Sequence, residues 1–340
     1  VTELEIDSPE WGAYVAGRAD SCVFHHPSWA LLLAECYGFR PFALATRSNG
    51  SASLTGGVPV LEVRSLRGTR WISQPFTDST PPLVDVEQGT HFADSLDDAV
   101  LAAGVRRLEV RGSFPGLEAR ARARAVRHEL QLEADPDAAL ARVSRHVRKN
   151  LRAAERAGIV VRRAESEREL TETFFHLQLE TRRRLGVPIQ PRRWYRLLWR
   201  RILEPGLGFV LIAQHGSTPV AGGVFLSWNG TVIAKYSASN AAAWGVRPND
   251  AVFWEAIRWG CLNGYRTLDF GRTDFAADGL RRFKRAWGAA EQPLFETVFG
   301  APRAERELPA SVATLAHGMI RYAPPLATRA LGELFYRFAA

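Results

Sequence analysis

The sequence predicts an α/β protein with mixed sheets, built from two tandem copies of one unit. Three paired stretches carry this expectation. Residues 42–63, "FALATRSNGSASLTGGVPVLEV", and 209–228, "FVLIAQHGSTPVAGGVFLSW", each hold an apolar strand, a Gly- and Ser-bearing turn and a Gly-Gly-Val strand, a hairpin pattern. Residues 103–113, "AGVRRLEVRGS", match 263–273, "NGYRTLDFGRT": a helix-ending glycine, a short alternating strand, then an Arg/Gly turn. Next, "PGLEARARA" (115–123) follows the first copy and "DGLRRFKRA" (278–286) the second. The offset stays at about 160–167 residues, and three matches in one order at near-constant spacing argue for duplication.

The elements follow in order. In the first copy, "HHPSWALL" (25–32) reads as a helix start, and "SQPFTDSTPPL" (73–83) as a Pro-rich loop at a strand end. Residues 135–161 have an acidic start, apolar helical spacing and Gly158, which predicts one amphipathic helix running into the strand "IVVRRAE". A second helix is predicted over 167–186. "TVIAKYSAS" (231–239) is β-branched and aromatic enough for a strand. After the loop "NAAAWGVRPND", residues 250–264 place Val252, Phe253, Ala256, Ile257 and Cys261 on one helical face, with Gly264 as the C-terminal cap. "YRTLDFG" is the next strand, and a helix between two consecutive strands predicts a crossover. Residues 304–340 read as mostly helical, expected to pack on the first unit, and no long heptad arm occurs. The predicted domains are therefore 1–134 with 302–340, and 135–301.

Composition sets the partner class. The 340 residues carry a formal charge of +8, and the sequence pI is about 9.8. This favours an anionic partner such as nucleic acid, nucleotide or lipid headgroup; a solvated arginine-rich surface is the alternative. Only three lysines occur, Lys149, Lys235 and Lys284. An ammonium is a compact charge on a flexible stem, unlike a planar guanidinium, so each lysine is a candidate for chemistry that arginine does not do. Cys22, Cys36 and Cys261 are odd in number and lack metal-ligand spacing, which predicts a reducing compartment and no metal. No apolar run approaches a membrane span, and "VTELEIDSPEW" has no signal-peptide pattern, so the expectation is a cytoplasmic protein without stable membrane insertion.

Four stretches together resemble a known family: "HHPSWALL", "RKNLRAAERAGIVV" (148–161), "LDFGRTD" (268–274) and above all "GLRRFKRAWGAAEQPLF" (279–295). In this order they resemble the Fem-type (FemABX-like) aminoacyltransferases, a branch of the GNAT acyltransferase superfamily with two GNAT-like units. The resemblance implies an acceptor-side first domain and an acyl-donor-side second domain. It implies transfer of an aminoacyl group from aminoacyl-tRNA to an amine with amide-bond formation, in cell-wall peptide or specialised-metabolite assembly, with no cofactor. It also implies that Phe283 lies near the tRNA acceptor end and that Lys284 takes part in the transfer.

The chemistry suits the residues. Aminolysis of an ester passes through an oxyanion, which a preorganised cation such as Lys284 stabilises, and an ammonium can protonate the leaving oxygen. Phe283 or Trp287 can stack on a terminal base; the alternative is a surface lysine with both aromatics in the core. Arg272, just after a strand, can hold a phosphate or pair with Asp269 or Asp274. Tyr236 is the cleft candidate on its strand, with Lys235 facing outward. Arg247 lies where acetyl-CoA users carry a glycine-rich pyrophosphate loop; "WGVRPND" lacks the usual glycine pattern, which weakens a CoA reading, but Arg247 can still meet a phosphate of the substrate or tRNA. Asp78 is a candidate to orient or deprotonate the acceptor amine, or else a turn aspartate. Trp29, with His25 and His26, lines an acceptor groove or caps a helix. Family members that bind a UDP-muramyl precursor tend to carry a lysine after the matching Trp; "WALLLAE" has none, which points to another amine acceptor. "LETRRRLGVPIQPRRWY" (179–195) is basic and aromatic, a tRNA contact or a solvated face. The rival functions are an N-acyltransferase using acyl-CoA or a carrier-protein thioester, and a non-catalytic RNA- or membrane-surface-binding protein on the same scaffold.

Overall fold

The structure, a computed structural model, describes residues 1–48, 53–65 and 68–301. The helices expected over 304–340 lie outside the described residues. Among those described, the chain forms two compact units, Val1–Val126 with 293–301, and Arg127–Gln292.

In the first unit, β1 (Thr2–Glu5) precedes α1 (Pro9–Gly17) and α2 (Pro27–Tyr37). Ser8 and His26 cap the two helices, each followed by a proline at the first turn, where its missing N–H costs nothing. The antiparallel run β2 (Arg40–Arg47), β3 (Leu54–Ser65) and β4 (Gly68–Ile72) follows. The short β5 (Leu83–Val84) pairs with β3, and α3 (Gly89–Ala102) crosses over to β6 (Arg107–Val110), which pairs with β4 in parallel.

β7 (Arg122–Gln131) leads into the second unit, which begins with α4 (Pro136–Arg142), α5 (Arg145–Arg156) and β8 (Ile159–Arg163). A π-helical turn (Glu169–Phe174) opens α6 (Phe175–Leu185), and α7 (Arg192–Leu198) follows. The run β9 (Gly208–His215), β10 (Thr218–Trp228) and β11 (Thr231–Ser239) is antiparallel, and α8 (Pro248–Leu262) crosses to β12 (Thr267–Asp269), parallel to β11. After α9 (Asp278–Ala286), β13 (Ala290–Gly300) ends the described chain.

Each unit thus repeats hairpin, third strand, helix, parallel strand. The first sheet runs β1-β2-β3-β4-β6 and ends on residues 293–300 of β13; the second runs β8-β9-β10-β11-β12 and ends on residues 127–131 of β7. The repeated Gly-Gly has a packing cause. A Cβ at Gly57 would lie 2.5 Å from the Trp11 ring, and one at Gly222 2.8 Å from Leu211 O. The first core holds Phe42, Phe92, Phe114 and Phe299; the second holds Phe225, Phe253, Ile257 and Trp287. Each large apolar side chain contributes about 1.5–3 kcal/mol on burial.

Two expectations are corrected. The single helix predicted within 135–161 breaks at Val143, which takes extended backbone (ψ 154°), and the Ser144 hydroxyl then accepts from Val147 N to start a second helix. The third sequence match is also not a structural one: "DGLRRFKRA" forms α9, whereas the first copy has only a 3-10 turn at Glu118–Arg120.

Candidate active site

The parallel pair β11–β12 is in register only from Thr231↔Thr267 to Ile233↔Asp269. Beyond it β12 ends, while β11 continues to Ser239 along β10. Ligand sites in α/β sheets collect at such carboxyl ends. Lys235 is the extra residue of a bulge here, since Tyr236 faces Val224 and Ala234 faces Phe225.

After Asp269 the chain turns sharply. Gly271 adopts φ +72°, and its N–H donates to Asp269 Oδ1 at 2.7 Å. Lys284, on α9, points into this turn. Its Nζ donates to Gly271 O at 2.6 Å and Arg272 O at 3.3 Å, and the residue is only 4% exposed. Next in the chain, the buried Thr273 hydroxyl has no hydrogen-bond partner among the described residues.

A charged shell surrounds the lysine's helix. Glu291 accepts from Arg281 at 2.7 and 3.0 Å and from Arg285 at 2.7 Å. The Arg281 hydrogen bonds above all hold its carboxyl down at about 2 against the opposing effect of burial, and Arg285 adds to the lowering. Fully buried His128 lies with Nε2 3.1 Å from Glu291 Oε2, out of line for a hydrogen bond. Burial first, and the Lys284 ammonium second, push His128 below its ordinary pKa, so the ring is neutral near pH 7. The site therefore offers a fixed ammonium, an unpartnered hydroxyl and a neutral imidazole within one unit.

The sequence candidates fall into three groups. Lys284 is buried and held, not a mobile surface lysine. Phe283 is half-buried, edge-on to Phe253 and Trp287 at 5.6 and 6.3 Å. Arg272 is exposed and bonded to Asp274 at 2.7 Å, and Arg247 is exposed with φ +58° just before α8. The second group is corrected. Trp287 is 0% exposed in the core against Phe270 and Phe253, so it does not stack on a base. Trp29 is equally buried, edge-on to Phe24 at 4.9 Å, and lines no groove. Tyr236, by contrast, faces inward as expected, and its hydroxyl accepts from Gln190 Nε2 at 3.0 Å.

The third group lies in the first unit. Asp78 is half-buried in the loop after β4, again at the end of a parallel pair. This loop is pinned: Arg111 N donates to Ser73 Oγ at 2.7 Å, Arg111 Nη1 to Thr77 O at 3.1 Å, and His25 Nε2 to Pro81 O at 2.8 Å. His25, fully buried, is thus a clamp and faces no groove, and the half-buried His26 ring caps Ser28 N at 3.2 Å. The loop also bends through two non-glycine residues with positive φ, Gln74 (56°) and Phe76 (64°), and the buried Gln74 amide has no partner among the described residues. Strain of this kind persists where surrounding contacts enforce it.

Sequence reasoning missed His128, Glu291, Thr273 and Gln74. His128 and Glu291 are far apart in the chain, and although Glu291, Thr273 and Gln74 lie inside stretches quoted above, no residue type or spacing there singles them out. No helix of the described residues is long and apolar enough to cross a membrane, and none of their side-chain clusters could hold a metal ion.

Comparison with known proteins bears on the fold. Residues 141–285 match the acetyltransferase (GNAT) domain family. The fold of nearly the whole chain is that of a FemX-like tandem GNAT protein. FemX itself superposes with a TM-score of 0.70 at 15% identity, over 93% of this chain and 100% of that one. L-PGS from Bacillus licheniformis gives 0.55 at 14%, over 94% and 99%. A tandem GNAT protein from the clavulanic acid biosynthesis pathway gives 0.52 at 14%, over 89% and 99%. No curated protein sequence matches this chain.

Proposed function

We propose that this chain is an acyltransferase that takes an aminoacyl group from aminoacyl-tRNA and forms an amide with an amine acceptor. The observation that carries the reading is Lys284: a buried ammonium held by the carbonyls of Gly271 and Arg272 where β11 and β12 part. In the reaction the acceptor nitrogen attacks the ester carbonyl and a C–N bond forms. The C–O bond to the ribose breaks, and the proton lost by the amine passes to the ribose oxygen. A cation preset by two main-chain bonds favours the oxyanion without reorganising. The Thr273 hydroxyl is assigned to the same developing charge. The acceptor amine belongs to a small molecule or peptide.

The start of α8 favours tRNA over acyl-CoA as donor. A pyrophosphate there needs free helix N–H groups. Pro248 supplies none, and the buried Asp250 carboxyl occupies the first turn, accepting from Asn150 Nδ2 at 3.1 Å. Burial raises the Asp250 pKa, and an incoming phosphate would raise it further.

The test is loss of the aminoacyl ester from a full set of charged tRNAs, with and without candidate amines. An amine-dependent loss with at least one tRNA, abolished by Lys284→Met, is expected. Turnover with acetyl-CoA and none with any charged tRNA would replace this reading by the N-acyltransferase one.

A further inference from the structure

The helix α5 carries a charge pattern that the chemistry at Lys284 does not use. At 100° per residue, Arg145, Lys149, Arg152 and Arg156 fall within about 60° of one another, a single stripe roughly 16 Å long. All four side chains are exposed. Many other arginines are tied to carboxylates, as Arg107 is to Glu109 and Arg281 to Glu291. None of the four stripe residues has a carboxylate partner among the described residues; Arg156 only donates to Arg152 O at 3.2 Å. The one acid of the helix, Glu155, sits about a quarter-turn off the stripe. The opposite face is anchored: Val147 and Ala154 are buried, and Asn150 bonds Asp250 of α8.

The stripe also begins at the site. Ser144 N, at the cap of α5, donates to Ala286 O at 2.9 Å, two residues past Lys284. A row of cations without a carboxylate partner among the described residues thus leads away from the helix end that carries the ammonium.

We infer that this stripe of α5 docks the phosphate backbone of the donor RNA's acceptor stem, with Arg145 nearest its 3′ end. The inference rests on the proposed use of aminoacyl-tRNA. A linear row of fixed cations suits a polyphosphate. An anionic membrane is the poorer match: helices that lie on lipid insert apolar side chains, and this stripe has none.

The test is fluorescence-monitored binding of bulk uncharged tRNA across a salt series, using the full chain. The variant Arg145→Gln/Lys149→Gln/Arg152→Gln is compared with Arg192→Gln/Arg193→Gln/Arg196→Gln on α7, which removes equal charge. The stripe variant should weaken binding at least ~10-fold near 0.1 M salt and flatten the log–log salt slope by about 3, while the α7 variant shifts Kd less than ~3-fold. Unchanged binding by the stripe variant, or equal losses in both, overturns the inference. So does a stripe variant that loses binding to phosphatidylglycerol vesicles yet keeps tRNA. Transfer activity distinguishes the two levels: a wild type that transfers while the stripe variant binds normally sinks only the docking surface. A wild type that binds no tRNA sinks the donor reading as well.

Discussion

Lys284 holds two main-chain carbonyls with the same ammonium assigned to the reaction, so its removal has two separable effects. Lys284→Met leaves Gly271 O and Arg272 O short of a donor inside the protein, an expected loss of about 1–3 kcal/mol. Lys284→Arg keeps donors there but brings a planar fork in place of a point charge. Both variants should lose roughly 100-fold or more in single-turnover transfer, and only Met should lower the thermal midpoint markedly. Recovery of transfer by arginine would make the lysine a structural pin. Thr273→Val is the complementary case. The hydroxyl has no partner to lose, so stability should hold or rise slightly, while transfer falls about tenfold or more if the hydroxyl meets the developing charge. A variant with unchanged rate would remove Thr273 from the site.

At the scale of elements, α9 is locked to the first residues of β13 by Glu291 and its two arginines, with His128 of β7 beneath. Each group gives a pH window. His128 has its native pKa below the ordinary 6.5, so its neutral form contributes stability above that value, and the contribution fades as pH falls through it. Glu291 is held near 2 against an ordinary 4.5, so its contribution is full above 4.5 and is lost on further acidification. The thermal midpoint should therefore decline in two stages on acidification. His128→Gln should remove the upper stage, and Glu291→Gln the lower one together with some stability at neutral pH. A midpoint flat from pH 7 to 5 in the wild type would contradict the His128 assignment. The elements themselves were largely legible in the sequence, for local reasons. The hairpins at 42–63 and 209–228 announced themselves by alternation and turn residues, and β11 and α8 by period and capping glycine. The site was legible only as the lysine. Its carbonyl partners depend on a left-handed Gly271 bringing the chain back under α9, and no spacing encodes that. Trp29 and Trp287 misled for a related reason: a large aromatic beside a charged motif reads alike whether it faces a ligand or the core, and burial decides.

At the scale of the whole molecule, the described part of the first unit is completed only after residues 127–292 of the second. Phe299 is fully buried in the first core, 5.1 Å from Phe114, and Thr297 is buried with its hydroxyl donating to Gly112 O at 2.8 Å. Both belong to β13, which pairs with β6 and follows residues 127–292 of the second unit in sequence. Residues 1–126 alone would expose the β6 edge and leave the space of Phe299 empty. Loss of such a ring costs about 3–5 kcal/mol, a large share of a small domain's stability. The isolated fragment is therefore expected to be unfolded or aggregated, with an open strand edge as the sticking point. Joining 293–301 to residue 126 through about ten Gly/Ser residues should restore a cooperative thermal transition. The Arg124–Glu296 pair, 3.1 Å apart, shows that the two ends to be joined already lie side by side. Phe299→Ala in that joined chain should abolish the rescue. A fragment 1–126 that melts cooperatively without β13 would show that the first unit does not depend on the last strand, and that its folding need not wait for the second unit to be synthesised.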